Sequence, residues 1–428
     1  MLDLDTVDEY TKALGKGDDT LRRQAIHFLK ERNERDWETA PVKVIRSLVD
    51  SLRHQLLNGM KQAFFRHDVV TILGNMGSRS EPAVPQLVEL LAEEMPDGLR
   101  EAAAIALGKI GKKAVLAVEP LINLLAHGRT NLAVQGVRAL GDIGCADQRV
   151  RAALINLWLS STQSKNGQVQ VAIALCKLKI DAMGLASFLT STLVANQDAS
   201  LRKSAAEGLA WRSKNEVDVV PALFTAARND KDEKVRQAAQ AGLARLRLTE
   251  DKAVHLCSKQ LKESSYAEAA LRKSGVLAVP ALIEALGTQE GAIREKAARI
   301  LGTLGESAAP AVPALTRVLH DKDPLVRLAV AKGLWNITKD AQVVVPVMVT
   351  LLSEKWAAAS DAGESRRKYL QTVIEALQRI GPSAKAAISA LTEKAKDKNR
   401  HISESALSAL KEIAPAVVNK WTWTIRRA

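Results

Sequence analysis

The chain has 428 residues, of which 47% are hydrophobic and only 4% are aromatic. This length allows several ordinary domains or one long repeat array, and the scarcity of aromatic side chains argues against a β-sandwich or an enzyme with a large aromatic pocket. The net charge of +13, from 61 Lys and Arg against 48 Asp and Glu, permits acidic partners such as nucleic acid but does not determine the fold.

The N-terminal segment and the cysteines bear on the cellular compartment. Residues 1–10, MLDLDTVDEY, are acidic and lack the apolar core of a signal peptide. Cys145, Cys176 and Cys257 are far apart and odd in number, so they indicate neither a disulfide framework nor a metal-binding motif. No stretch approaches the ~20 apolar residues that a membrane helix needs. We expect a reduced, cytoplasmic protein with no membrane partner, no metal and no cofactor.

The first predicted helices are irregular. An acid–arginine pair, Asp18 and Arg22, precedes Leu29 at offsets that recur later in the chain, which places the start of an array of helices there. Residues 38–60 look helical but match the later repeat poorly, as the capping segments of repeat arrays do. We therefore expect atypical capping repeats in residues 1–60.

From residue 73 onward one motif recurs, a leucine followed by a small residue, any residue, an aliphatic residue and often a glycine. It reads LGNMG from Leu73 and LGTLG from Leu301. We call this leucine the anchor and count positions from it. The eleven anchors are Leu73, Leu107, Leu140, Leu175, Leu209, Leu243, Leu271, Leu301, Leu334, Leu377 and Leu410. Their spacings are 34, 33, 35, 34, 34, 28, 30, 33, 43 and 33, which indicates a repeat array.

Each repeat contains two predicted helices. The first helix is clearest as AVPQLVELL from Ala83, AVPALIEAL from Ala278 and AVPALTRVL from Ala311, and its proline suits a first turn because the missing N–H would have no partner there. The second helix carries the anchor, and around Leu301 the apolar residues at −8, −4, −1, 0 and +3 share one face. Small residues at −1 allow neighbouring helices to approach closely. Glycine at +4 suits a helix that ends with a residue in the left-handed backbone conformation.

An acid at −11 and an arginine at −7 also recur. We expect the acid to cap the second helix and the arginine to reach the acid of the next repeat. These structural pairs are Asp198/Arg202, Asp232/Arg236, Glu290/Arg294 and Asp323/Arg327.

These features together resemble the HEAT repeat, and the bacterial type found in phycobilisome lyase-like (PBS-type) repeats is the best match, over about residues 18–414. The resemblance implies an all-α fold, a right-handed α-solenoid of about twelve helical hairpins in one continuous array over residues 1–428. It implies a protein-interaction scaffold whose partner is another protein. Some HEAT arrays bind nucleic acid, and a few are lyases or DNA glycosylases, so an acidic protein surface or nucleic acid is the alternative partner.

Three segments depart from the repeat. The 28-residue spacing shortens one hairpin around residues 262–266, and the 43-residue spacing adds about ten residues in 353–368, which we expect to lengthen a turn. The C-terminal segment 415–428 is expected to be a cap or tail. Its end, WTWTIRRA from residue 421, is expected to cover the last helix, and partner binding is the weaker alternative.

No catalytic constellation is visible. The sequence has no phosphate-binding loop, no HExxH motif and no nucleophile elbow, and its seven histidines are scattered over non-equivalent positions. Trp211 and Glu207 lie four residues apart, as an aromatic residue and a carboxylate of a glycosylase would, but such a pair also arises easily by chance. We expect no catalytic residues and a non-enzymatic function.

Charge on the second helices suggests one candidate surface. In HEAT arrays these helices line the concave face, where positions −6, −2 and +2 carry nine basic and seven acidic residues, so no uniformly basic groove is expected. Four consecutive second helices nevertheless end in cation pairs close to Trp211. The predicted partner-binding residues, which we call the basic edge, are Lys177, Lys179, Trp211, Arg212, Lys214, Arg245, Arg247, Arg272 and Lys273. The alternative explanation is compensation of helix dipoles.

Overall fold

The computed structural model describes residues 9–10, 13–14, 19–30, 42–57, 63–127, 130–160, 164–213, 215–354 and 362–416. Within these ranges the regular elements are all helices, and no strand occurs. The predicted all-α array of helical hairpins is confirmed.

Anchor leucines lie on twelve second helices of the described chain. These are α1 (Asp19–Lys30), α3 (Ala63–Asn75), α5 (Asp97–Ile110), α7 (Thr130–Ile143), α9 (Lys165–Lys177), α11 (Ala199–Leu209), α13 (Glu233–Arg245), α15 (Ser265–Ser274), α17 (Gly291–Leu304), α19 (Pro324–Thr338), α21 (Ala362–Ile380) and α23 (Arg400–Ile413). The first of them carries Leu29, which is buried as an anchor should be. The α1 helix packs on α3, and the start of the array at α1 stays a prediction.

First helices alternate with these along the chain. They are α2 (Val42–Leu57), α4 (Val84–Glu89), α6 (Val118–His127), α8 (Gln148–Leu159), α10 (Leu185–Ala195), α12 (Val219–Asn229), α14 (Glu250–Lys259), α16 (Val279–Leu286), α18 (Val312–Val318), α20 (Ala341–Ser353) and α22 (Ile388–Lys394). Short 3₁₀ segments lead into five of them, at Gly77–Ala83, Gly111–Ala117, Gly275–Ala278, Gly305–Ala311 and Gly381–Ala387.

The chain divides into two compact units. The first comprises Met1–Val219 and Ala226–Arg247, and the second comprises Val220–Thr225 and Leu248–Ala428. Within the first unit the second helices α3, α5, α7, α9, α11 and α13 each pack against the next. Within the second unit α15, α17 and α19 do the same, and α21 packs on α23. The continuous array over residues 1–428 stays a prediction.

Anchor burial forms the core of each unit. Leu107, Leu209 and Leu301 are fully buried, and each such side chain contributes about 1.5–3 kcal/mol by leaving water. Small residues bring adjacent second helices together. A Cβ placed on Gly302 would lie 2.7 Å from the Cα of Gly333, so any larger residue would push α17 and α19 apart.

Glycine at position +4 ends the second helices in the left-handed conformation, as predicted, but two repeats carry a cation there instead. Glycines there have positive φ, for example 71° at Gly111, which lets the chain turn directly into the next hairpin. Lys179 and Arg247 occupy the same position with φ of 55° and 57°. A side chain in this left-handed region costs roughly 1–2 kcal/mol relative to glycine. Two cations of the basic edge are thus held in strained backbone.

The irregular segments are partly described. In the short repeat, α15 begins only at Ser265, capped by the Ser264 hydroxyl. The 353–368 insertion was expected to lengthen a turn, but α21 already begins at Ala362, so part of it extends the second helix instead. Residues 355–361 and the tail 417–428 lie outside the described residues.

Candidate interaction surfaces

The turn acids cap helices as predicted, with one exception. The Asp232 carboxylate accepts hydrogen bonds from the backbone N–H of Lys234 and Val235, and Asp198 and Asp323 cap α11 and α19 in the same way. Glu290 makes no such bond, and its carboxylate instead pairs with Lys262 at 2.8 Å. The pair Asp18/Arg22 cannot be compared, because Asp18 and the side chain of Arg22 lie outside the described residues.

The arginines bridge repeats through a different acid. Arg202 donates two hydrogen bonds of 2.8 Å to Asp230, and Arg294 donates to Asp321 at 2.7 and 2.9 Å. Asp230 and Asp321 stand two residues before the capping acids. Burial would raise the pKa of Asp230, but its hydrogen bonds from Arg202 and from the backbone of the turn outweigh this and leave it below the ordinary value.

Arg327 also bridges repeats, because it pairs with Glu354 directly after the first helix of the following hairpin. Arg236 was predicted to bridge repeats, and this was wrong within the described residues, because its guanidinium donates to the carbonyls of Asp230 and Lys231 in its own turn. All four arginines are bound to acids or carbonyls within the array itself. These contacts support a structural role for the arginines.

Contacts between +2 positions of adjacent second helices compensate one cation of the basic edge. Lys109 donates to Asn75 of the preceding repeat at 2.8 Å, and Lys177 pairs with Asp142 in the same geometry. These residues stand at +2 in adjacent second helices, so each cation meets whatever the previous repeat carries there. Lys177 is therefore compensated within the chain and is a weaker candidate for partner binding.

Arginines at the ends of two helices are also paired. Arg212 is bound by Asp181 at 3.1 Å and Glu216 at 2.9 Å, and only 14% of its side chain is exposed. Arg272, in the second unit, pairs with Glu268 one turn earlier. Lys273 of that unit is exposed, without an ion pair in the described part of the chain. Lys214 lies outside the described residues.

Trp211 of the basic edge is in contact with another of its cations. The Arg245 guanidinium stacks over its indole ring, with Cζ 3.2 Å from the ring centroid, which is a cation–π contact. Glu207 pairs with Lys203 at 3.4 Å. One face of the indole is thus already occupied, which weakens the glycosylase interpretation of Trp211 and Glu207. Among the described residues of the basic edge in the first unit, the exposed cations that remain are Lys179, Arg245 and Arg247.

An apolar cluster in the first unit was missed by the sequence reasoning. It consists of Trp158 and Leu159 at the end of α8, Met183 in the turn between α9 and α10, and Phe188 in α10. The Trp158 and Phe188 rings meet edge to face with centroids 5.2 Å apart, and the Trp158 N–H donates to the Met183 carbonyl at 3.2 Å. Leu159 is 75% exposed and Met183 is 95% exposed. We call these four residues the α8–α10 cluster.

Reactive groups are scarce in the described part of the chain. No group of three or more His, Cys, Asp or Glu residues there could hold a metal ion. Burial raises the pKa of the Cys176 thiol and of the Cys257 thiol to about 12, so neither forms a nucleophilic thiolate near neutral pH. The helices described include none with the length and apolar character needed to cross a bilayer.

Comparisons with known proteins agree with the hairpin pattern. Residues 279–365 match the family described as HEAT repeats, and residues 99–127 match the PBS lyase HEAT-like repeat. No curated protein matches the chain.

Several solved structures are similar to this chain. A crystal structure of Kap121p aligns at 14% identity over 95% of this chain and 49% of its own, with a TM-score of 0.37. A crystal structure of importin beta aligns at 15% identity over 96% of this chain and 66% of its own, with a TM-score of 0.36. The chain spans about half the length of Kap121p. From the two family matches, the chain contains HEAT repeats, one of them of the PBS lyase HEAT-like type.

Proposed function

We propose that the chain is a non-enzymatic scaffold that binds another protein, and that the α8–α10 cluster is a contact surface. The observation that carries the proposal is the exposure of Leu159, which follows Trp158 in the chain, and of Met183, whose carbonyl accepts a hydrogen bond from Trp158. Aromatic side chains and methionine are enriched in protein interfaces, and a partner that covered this cluster would remove apolar area from water.

The fixed position of the Trp158 side chain in the α8–α10 cluster also favours binding of a partner. The hydrogen bond from Trp158 to the Met183 carbonyl and the ring contact with Phe188 fix the indole before any partner arrives. A preordered aromatic anchor loses little side-chain entropy on association, so more of the burial energy appears as affinity. No reaction is assigned to this surface.

The test is affinity purification of the tagged chain from its native lysate after nuclease treatment. Leu159→Gln combined with Met183→Gln should reduce capture of the specific partner by about tenfold or more. Val115→Gln combined with Leu116→Gln is the matched control, because those side chains are 53% and 71% exposed in the same unit. Equal capture by both variants, or no protein retained after nuclease, would contradict the proposal.

A second candidate function is polyanion binding at the basic edge. The observation in its favour is that Lys179 and Arg247 occupy positive-φ positions where other repeats carry glycine, since strained backbone often marks functional positions. We expect Lys179→Glu with Arg247→Glu to reduce heparin retention and its salt dependence more than Lys177→Glu, because Lys177 is already paired with Asp142. Elution of the parent chain from heparin at low salt would exclude this function.

A further inference from the structure

Within the second unit, two adjacent second helices, α19 and α21, are less closely packed than the others. The α17 and α19 helices are in close contact through Gly302 and Gly333, whereas α19 and α21 touch at only a few positions. The opening leaves a cavity of about 680 Å³ bordered by α17, α19 and α21. This volume is in the range of sites that hold a small ligand or a few side chains of a peptide.

The cavity walls are largely apolar. Leu325, Leu328 and Ala329 line it from α19, and the Tyr369 side chain lines it from α21. Leu325 is 46% exposed although it is a large aliphatic side chain, so its apolar surface is in contact with water. An apolar group placed against these side chains would be stabilised by about 25 cal/mol for each Å² removed from water.

Lys332 supplies a positive charge in this cavity, which Glu295 also lines. Its side chain, at position −2 of α19, is half-buried, and it makes no ion pair with the described residues. Burial lowers its pKa, and the cations Arg379 and Arg299 lower it further against the opposing effect of Glu375 and Glu295. A half-buried ammonium group that is not paired favours the approach of an anion.

The other two cations that line the cavity already have partners. Arg299 is bound to Glu268 at 3.0 Å and lies 3.7 Å from Glu295, and Lys368 is paired with Glu364 at 2.9 Å. One unpaired positive charge next to apolar walls matches a ligand with one carboxylate beside an apolar group. Nucleic acid fits less well, because binding of a phosphate backbone relies on several cations in a row.

We infer that this cavity binds an acidic segment of a partner protein, with one Asp or Glu carboxylate on the Lys332 ammonium group. The neighbouring apolar side chain of that segment packs against Leu325, Leu328 and the Tyr369 ring. The inference rests on the proposed protein-binding function, but it concerns a different unit and does not depend on the α8–α10 cluster.

The test is selection of a displayed library of random short peptides against the full chain, followed by fluorescence anisotropy with the enriched peptides. The enriched sequences should carry Asp or Glu beside Leu, Ile or Phe. Lys332→Met, which keeps the apolar stem, should weaken their binding by about tenfold or more, and Lys332→Arg should weaken it less. Lys385→Met is the matched control, because Lys385 is an exposed lysine of the same unit that does not line the cavity.

Two further measurements keep the result interpretable. Leu325→Gln removes the apolar contact without touching the charge and should also weaken binding, and a peptide with Gln in place of its acid should lose as much affinity as Lys332→Met. No enrichment, enriched peptides without an acid, or equal binding by Lys332→Met would overturn the inference. Failure of the α8–α10 variants to lose partner protein would overturn the proposed surface and leave this result unaffected.

Discussion

Removal of the Arg294 guanidinium should be among the most destabilising single changes in the second unit. Its side chain and that of Asp321 are 9% and 10% exposed, and two hydrogen bonds join them across adjacent repeats. Arg294 also donates to the carbonyls of Thr288 and Gln289 at 2.9 Å. Arg294→Ala would leave a nearly buried carboxylate and two carbonyls without these donors, so we expect a loss of about 3–5 kcal/mol.

Arg272→Ala is the comparison, because Arg272 pairs with Glu268 at the surface of the same unit with 47% of its side chain exposed. Such pairs contribute about 0.3–0.5 kcal/mol. The assay is urea unfolding together with amide hydrogen exchange of α17 and α19, since repeat arrays do not always unfold in one step. Equal effects of the two variants would refute the reasoning. Replacing both Arg294 and Asp321 by apolar residues should cost less than Arg294→Ala alone.

Further variants test other parts of the fold. Lys179→Gly and Arg247→Gly should each raise the free energy of unfolding by about 1 kcal/mol, since they relieve positive φ; a decrease in urea titrations would contradict this. Leu301→Ala should cost about 2–5 kcal/mol, measured in the same titrations, because its side chain is fully buried. Lys332→Met should leave the melting temperature unchanged or higher at neutral pH, because the folded state disfavours the charge. The pKa of Asp321 is lower in the folded state than its unfolded value of about 3.9, so the ionised carboxylate stabilises the fold above that value and this stabilisation is lost as pH falls through the folded pKa. The melting temperature of Arg294→Ala should therefore fall less on acidification than that of the wild type.

The fold followed from the sequence because its determinants recur locally. A leucine with a small neighbour at −1 indicates contact with another helix, and a glycine at +4 indicates the end of the helix that carries the leucine. The recurrence of this pattern about every 33 residues therefore indicates one helical hairpin in each repeat. The interrepeat ion pairs were assigned to the wrong acids, although Asp230 and Asp321 recur two residues before the caps. That D-x-D spacing was a signal that could have been used.

The candidate surfaces were less predictable because they depend on contacts between repeats. Compensation of Lys177 by Asp142 could have been found by comparing position +2 in adjacent repeats. The spacing of α19 and α21 could not, since it follows from how an extended helix packs on its neighbour. The stacking of Arg245 on Trp211 likewise needs the rotamers of both side chains.

The proposed scaffold function is tested most directly by the affinity of the captured partner for the purified chain. The dissociation constant should rise by about tenfold or more for Leu159→Gln with Met183→Gln, and it should be unchanged for Val115→Gln with Leu116→Gln. Equal dissociation constants for wild type and the first double variant would show that the α8–α10 cluster is not the contact surface.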